Sequence, residues 1–86
     1  MIAAVVRIAP LGGDRQYPEP ELGGLLSARA RSDERINHIR IRAGPSGFDI
    51  LAFVATDEPS LAYAILRRTV QRCLADDPRL DLWRIV

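Results

Sequence analysis

The stretch that decides the fold is Arg35-Ile-Asn-His-Ile-Arg-Ile-Arg-Ala43, followed by Gly44-Pro-Ser-Gly47 and then Phe48-Asp-Ile-Leu-Ala-Phe-Val-Ala55. The first segment alternates apolar and polar residues, and the last is rich in β-branched and aromatic residues, so both are typical of strands. The segment between them consists of turn residues. We therefore predict an antiparallel hairpin with a four-residue loop, in which Ala43 lies opposite Phe48.

This register assigns every side chain of the hairpin to one of two faces, because successive strand residues point to opposite sides. The apolar pairs predict a face covered by helices, and the pairs that contain charge predict an open face. The pairs on the covered face are Ile41 with Ile50 and Ile39 with Ala52; those on the open face are Arg42 with Asp49, Arg40 with Leu51, and His38 with Phe53.

The segments on either side of the hairpin complete the fold. Ile2–Ala9 is short and β-branched and predicts a strand, which a glycine- and proline-rich loop joins to a weak helix at about Glu19–Arg31. A second helix is predicted to begin near Pro59 and to end before Pro78, since proline is favoured in the first turn of a helix and disfavoured later. Leu80–Val86 predicts a last strand.

The resulting order is β-α-β-β-α-β, in one domain that spans residues 1–86. With right-handed crossovers it predicts an α+β protein with a four-stranded antiparallel sheet, strand order 4-1-3-2, and both helices on one face. The whole chain thereby resembles the ferredoxin-like superfold. Its segment Leu74-Ala-Asp-Asp-Pro-Arg-Leu-Asp-Leu-Trp83 is similar to the corresponding part of small accessory subunits such as the PurS family. This resemblance implies the fold, and the function has to be argued from the surface.

The predicted open face has an apolar centre and an arginine-bearing margin. Alternation along the first and last strands adds further arginines to those of the hairpin. An open antiparallel face is normally polar, so an apolar centre predicts that another molecule covers it. The residues predicted for this face are Val5, Arg7, His38, Arg40, Arg42, Leu51, Phe53 and Arg84.

Arginine together with aromatic residues is typical of the centres of protein interfaces. We therefore expect a non-enzymatic accessory, regulatory or assembly protein that acts as a homodimer or docks on a protein partner. One alternative is a binding module for an anionic small molecule. Another is a binder of single-stranded nucleic acid, because bases stack on aromatic rings. The net charge of +1 and the lack of an aromatic residue in Ile2–Arg7 disfavour nucleic acid.

Residues for catalysis or metal binding are sparse. His38 is the only histidine, and Cys73 is the only cysteine and falls on the apolar stripe of the second helix. We therefore expect no catalytic residue, no metal and no cofactor. The first loop resembles in its position the phosphate loop of acylphosphatases, which share this fold, although their longer glycine-rich signature is absent. That resemblance implies a possible anion-binding loop formed by Gly12, Gly13 and Arg15.

The glycine pair Gly23-Gly24 lies inside the first predicted helix, where each glycine costs about 1 kcal/mol relative to alanine. We expect close packing of this helix on the sheet to explain the pair. The alternative is a mobile arm from Gly12 to Gly24 that becomes ordered only on a partner.

The composition is that of a globular protein, with 48% hydrophobic and 27% charged residues. All 12 cationic side chains are arginine, which indicates a GC-rich and hence bacterial genome. A single cysteine excludes an internal disulfide, and the chain begins without the basic segment of a signal peptide, so we expect a cytoplasmic protein. No apolar run approaches the roughly 20 residues of a membrane-spanning helix.

Overall fold

The computed structural model describes residues 1–12 and 17–86. Two short 3-10 helices, Ser32–Glu34 and Pro78–Leu80, accompany the longer elements. The strands and α-helices of the described residues are, in chain order, β1 (Ile2–Pro10), α1 (Glu19–Arg29), β2 (Ile36–Gly44), β3 (Gly47–Val54), α2 (Pro59–Asp76) and β4 (Trp83–Ile85).

The four strands form one antiparallel sheet in the order β2-β3-β1-β4. This is the predicted order 4-1-3-2 read from the opposite edge, so the predicted arrangement of strands is confirmed. Leu22 and Leu26 of α1 are buried in the same cluster as Leu66 of α2 and Val6 of β1. Both helices therefore cover the same face of the sheet.

The buried face of the sheet is the one that alternation predicted. In β1 the buried residues are Ala4, Val6 and Ile8. Burying a side chain the size of valine or isoleucine stabilises a fold by about 1.5 to 3 kcal/mol. Trp83 also joins this core, which was not predicted, and it stacks on Phe48 with 5.4 Å between the ring centroids.

Helix α2 begins at Pro59 and ends at Asp76, as predicted. Its buried side does not follow residue polarity at two positions: the apolar Leu61 is 44% exposed, whereas the polar Thr69 is fully buried. Thr69 can be buried because its hydroxyl donates a hydrogen bond to Glu34 at 3.0 Å. This bond satisfies the hydroxyl inside the protein. No helix among the described residues is long and apolar enough to cross a membrane.

The hairpin register is confirmed near the turn and wrong farther away. The predicted pairs hold from Ala43 opposite Phe48 back to Arg40 opposite Leu51. Beyond Arg40 the register slips by one residue, so that Asn37 rather than His38 lies opposite Phe53. The predicted pairing of Ile39 with Ala52 is lost with it.

The slip is a β-bulge, and the positions of the isoleucines explain it. Ile36 and Ile39 both pack against the core. In an unbroken strand, two residues three positions apart point to opposite faces, and one extra residue on a strand turns both to the same face. His38 lies within the bulge and has a left-handed φ of 54°.

The last strand is shorter than predicted, because the segment after α2 first makes a 3-10 turn. Asp77 caps this turn: its Oδ1 accepts a hydrogen bond from the amide of Arg79 at 2.9 Å. With Pro78 in the first position, the cap favours a helical turn over an extended chain. Leu80 is therefore buried in a turn instead of lying in β4.

The close-packing explanation of Gly23-Gly24 is wrong. A Cβ added to Gly24 would meet nothing within 4 Å, and one added to Gly23 would make only an ordinary contact at 3.9 Å with Ile41. The glycine that close packing requires is Gly47, where an added Cβ would overlap the carbonyl oxygen of Ile8 on the neighbouring strand.

The chain that enters α1 is fixed to the end of α2. Tyr17 is buried, and its hydroxyl donates to Asp77 at 2.8 Å, while the guanidinium of Arg79 lies 4.8 Å from its ring centroid. Burial and the hydrogen bond to Asp77 raise the pKa of Tyr17 to about 12. Arg79 also donates to Glu21 in the first turn of α1, at 2.6 Å.

Candidate docking face

The sheet side away from the helices is the candidate site, and we call it the open face. Its side chains form three rows across β2, β3 and β1. These rows are Arg42-Asp49-Arg7, Arg40-Leu51-Val5 and Asn37-Phe53-Ala3.

The apolar centre of the open face consists of the three predicted residues. Val5 is 52% exposed and Phe53 36% exposed, and Leu51 is half-buried between them. Val5 and Leu51 are opposite each other on adjacent strands, and Phe53 follows Leu51 by two residues on the same face. The structure therefore brings all three together.

Asp49 supplies the only carboxylate at an open-face position of the four strands. It lies between two arginines in the register, Arg42 on β2 and Arg7 on β1. Arg7 binds it, with 2.8 Å between Nη1 and Oδ1, and also donates to the hydroxyl of Ser46 at 3.0 Å. The sequence prediction paired Asp49 with Arg42, and the neighbouring β1 provides the stronger partner.

Arg40 and Arg42 are exposed and have no hydrogen bond or ion pair with another described residue. Together with Val5 and Leu51 they line a depression of about 650 Å³, which Glu19 of α1 also lines. A guanidinium offers five N–H donors in one plane, and this geometry suits carboxylate and phosphate groups. The two arginines are thus the cationic groups that the open face presents to another molecule.

His38 remains part of the open face in spite of the bulge. Its ring lies edge-on to Phe53, with 6.3 Å between the ring centroids. The predicted contact between these two side chains is therefore present, although the backbone partner of Phe53 is Asn37. The contact extends the apolar centre towards the β2 edge.

Arg84 is not presented with the other arginines. In the register it lies opposite Ala9, as the alternation predicted. Its guanidinium, however, donates to the carbonyl oxygens of Asp81 and Trp83, at 3.0 and 2.8 Å. It lines a separate depression between β4 and α2, so its guanidinium is not grouped with those of Arg40 and Arg42, although its strand position is the predicted one.

Of the predicted anion-binding loop, the structure describes only Gly12, which is exposed and has a left-handed φ of 81°. Gly13 and Arg15 lie outside the described residues, so that loop stays a prediction. Within residues 1–12 and 17–86, no three acidic, histidine or cysteine side chains are grouped so that they could hold a metal ion.

The sequence prediction missed Asn37 as a member of the open face, and it placed Asp49 there without identifying Arg7 as its partner. The pairing of Asp49 with Arg7 had a recognisable signal, because the predicted strand order already placed β3 between two arginine-bearing strands. Asn37 depends on the bulge, which the prediction lacked. No family model, no curated protein and no solved structure matches this chain, so the geometry alone bears on its function.

Proposed function

We propose that this protein is a non-enzymatic accessory module that docks through its open face on an acidic surface of a partner protein. The observation that carries the proposal is the juxtaposition of an exposed apolar centre with the guanidinium groups of Arg40 and Arg42, which have no hydrogen bond or ion pair within residues 1–12 and 17–86. Aromatic and arginine side chains dominate the energetics of such surfaces, and truncating a central one typically costs at least about 2 kcal/mol of binding energy. In this proposal Val5, Leu51 and Phe53 are the buried anchors.

The arginines set the orientation and the rate of association. Charged groups at the margin of an interface steer encounters and exclude wrongly charged partners more than they add affinity. Arg7 is already neutralised by Asp49. Arg40 and Arg42 have no carboxylate partner among the described residues, so the carboxylates of an acidic partner can bind them.

A second copy of the chain is a poorer match for this face. At the open-face positions of β1, β2 and β3 lie Arg7, Arg40 and Arg42 but a single carboxylate, that of Asp49, which Arg7 binds. Two such faces brought together would place cationic groups near each other without compensation, which is unfavourable in a desolvated interface. This charge balance favours a different protein as the partner.

We also assign the chain to the ferredoxin-like superfold, supported by its element order and by the sheet order β2-β3-β1-β4. We place it in the cytoplasm, where a buried free thiol such as that of Cys73 stays reduced. This superfold serves many unrelated functions, so the docking proposal rests on the open face and not on the fold.

The depression beside Arg40 and Arg42 favours one second candidate, the binding of an anionic small molecule. Its volume of about 650 Å³ is within the range of ligand sites. The two candidates differ in what contributes to binding: a small anion depends on the arginines alone, whereas a protein partner depends on Phe53 as well.

The proposal can be tested by NMR titration of the labelled protein with a peptide that alternates aspartate and leucine. We expect the backbone signals of Val5, Leu51 and Phe53 to shift, and the shifts to weaken with salt. The same peptide with lysine in place of aspartate is the probe control. Citrate and a thymidine oligonucleotide test the small-anion and nucleic-acid alternatives.

Variants separate docking from general charge attraction. Arg40→Glu with Arg42→Glu should abolish peptide binding, and Phe53→Ser, which removes an apolar anchor without a change of charge, should weaken it strongly. The matched control is Arg67→Glu with Arg68→Glu, which makes the same charge change on the exposed side of α2. Equal loss in this control, or no response of the wild type to the peptide, would rule out the open face as the docking surface. Citrate binding that needs the open-face arginines but not Phe53 would favour the second candidate.

A further inference from the structure

The outer edge of β1 is open along half of its length. β4 pairs only with Ile8, Ala9 and Pro10, and the amide of Val86 then donates to the carbonyl oxygen of Arg7 at 2.9 Å. From Ile2 to Val6, β1 pairs with β3 on one side, and no described strand lies on its other side.

The direction of the unpaired groups follows from the bond between Val86 and Arg7. Within a strand, the N–H and C=O of one residue point to the same side, and those of the next residue point to the other. Since the carbonyl of Arg7 points outwards, the N–H and C=O groups of Ala3 and Val5 also point outwards. Two donors and two acceptors thus stand in a row at this edge, where an added strand would satisfy them.

The other edges of the sheet are protected in the usual ways. The β2 edge carries the bulge at His38 and the charged side chains of Arg40 and Arg42. The β4 edge is only three residues long. Bulges, charges and shortness all hinder strand addition. The open part of β1, Ile2-Ala-Ala-Val-Val6, has no charge, no proline and no bulge.

We propose that a second copy of this chain occupies this edge, so that the two β1 strands pair antiparallel about a two-fold axis at Ala3. Each Ala3 then lies opposite Ala3 of the second copy, and Val5 lies opposite Met1. On the helix side Ile2 lies opposite Ala4, which sets a large residue against a small one. All of these contacts are apolar, so the edge complements itself without charge repulsion.

The position that Val86 occupies excludes the neighbouring register. Val86 already lies beside Arg7, at the same edge of β1 where the added strand would lie. An axis at Ala4 would bring Met1 of the second copy to the same place and cause a clash. With the axis at Ala3, Met1 of the second copy lies opposite Val5, and the position beside Val6 separates it from Val86. The odd-numbered residues, whose backbone groups point outwards, then bond to one another.

An exposed side chain on α2 provides apolar cover next to this edge. Arg67 and Leu74 line the depression between α2 and β4. Tyr63 is one turn before Arg67, and so helical periodicity places it on the same flank, near the start of β1. Tyr63 is 43% exposed. In the dimer, Tyr63 lies on the helix side of the added strand and makes apolar contact with it.

This dimer is independent of the docking proposal and has its own test. In sedimentation equilibrium we expect the wild type to be a concentration-dependent dimer, because a ladder of about five residues is a small interface. Ala3→Glu and Ala3→Lys each put like charges opposite one another and should give monomers. An equimolar mixture of the two variants should restore the dimer. Ala3 is exposed, so both variants should keep the wild-type circular dichroism.

Arg40→Glu with Arg42→Glu is the control, since it disrupts association through the open face and lies on β2, away from the β1 edge; its dimer should persist. A second measurement needs no variant: amide exchange at Ala3 and Val5 should slow as the concentration of wild-type protein rises. A wild type that stays monomeric, with exchange independent of concentration, would overturn the proposal. So would dimers that survive both Ala3 variants, a mixture that stays monomeric, or a dimer that Arg40→Glu with Arg42→Glu abolishes.

Discussion

Arg72 donates two hydrogen bonds to the carboxylate of Glu34, at 2.8 Å to Oε2 and 3.3 Å to Oε1. Glu34 is only 8% exposed, and its oxygens also accept from the amide of Arg31 and from Thr69. The pair joins the segment between α1 and β2 to the middle of α2. A buried carboxylate with this many donors is fully satisfied, and removing any of its bonds is costly.

Glu34→Gln should lower the free energy of unfolding by about 2 kcal/mol, because the bonds from Arg72 lose their charged acceptor. Urea denaturation followed by circular dichroism measures this. Glu58→Gln is the control, since Glu58 is exposed and its carboxylate has no hydrogen bond to another described residue. A Glu34 variant as stable as the control would show that the pair contributes nothing.

Stability should fall in acid between about pH 4.5 and pH 2. Burial acts to raise the pKa of Glu34, but the bonds from Arg72, Arg31 and Thr69 outweigh it and lower the pKa from 4.5 to about 2. Hydrogen bonds from Arg79 lower the pKa of Asp77 to about 2 as well. A group with a lowered folded-state pKa stabilises the protein above its unfolded-state pKa, and this contribution is lost as the pH falls through the folded-state value.

Denaturation at a series of pH values tests this window. Glu34→Gln should reduce the slope of stability against pH between about pH 4.5 and pH 2, and Asp77→Asn should remove a further part. Equal slopes in the wild type and both variants would mean that these two carboxylates do not govern the acid response.

Two glycine substitutions should have opposite effects. Gly47→Ala should destabilise the protein by about 3 kcal/mol, because the new methyl group forces β3 away from Ile8. Gly24→Ala should stabilise it by about 1 kcal/mol, since Gly24 is exposed inside α1 and the methyl group meets open space. Thermal unfolding of both variants measures the difference, and a destabilised Gly24 variant would contradict the open surroundings of this residue.

Cys73 should be almost unreactive in the folded protein. Burial raises the pKa of its thiol to about 11, and the thiolate is the reactive form. Labelling with a disulfide reagent at pH 8 should therefore follow unfolding and become fast in denaturant. Gly24→Ala should slow the labelling further if unfolding limits it. Rapid stoichiometric labelling of the native wild type would show that Cys73 is accessible.

The order of the strands was predictable because local signals and topology agreed. The glycine- and proline-containing turn fixed the hairpin, and Pro59 and Pro78 marked the bounds of α2. The bulge was missed, although Ile36 and Ile39 held its signal: both are apolar but three positions apart, which an unbroken strand cannot bury on one face. Whether a chain resolves such a conflict by a bulge depends on packing against the helices.

The apolar centre of the candidate site was predictable, because strand alternation determines which way Val5, Leu51 and Phe53 point. The orientation of the long arginine side chains was not. Arg84 has the expected position in its strand, yet its guanidinium binds nearby carbonyl groups. An arginine side chain has four rotatable bonds and can reach many groups. Only the folded structure shows which of these groups lie near it.

The bulge in β2 also limits how far the proposed pairing extends. In the terms of polymer chemistry, the molecule is monofunctional: of the two long strands with an outward-facing edge, β1 can couple to another chain, and β2 is blocked by its irregular backbone and its charges. Coupling two monofunctional units leaves no reactive end, so growth stops at the dimer instead of continuing into a fibre. In that dimer both open faces lie on the same side of one continuous eight-stranded sheet, and a partner with two acidic sites could bind both at once.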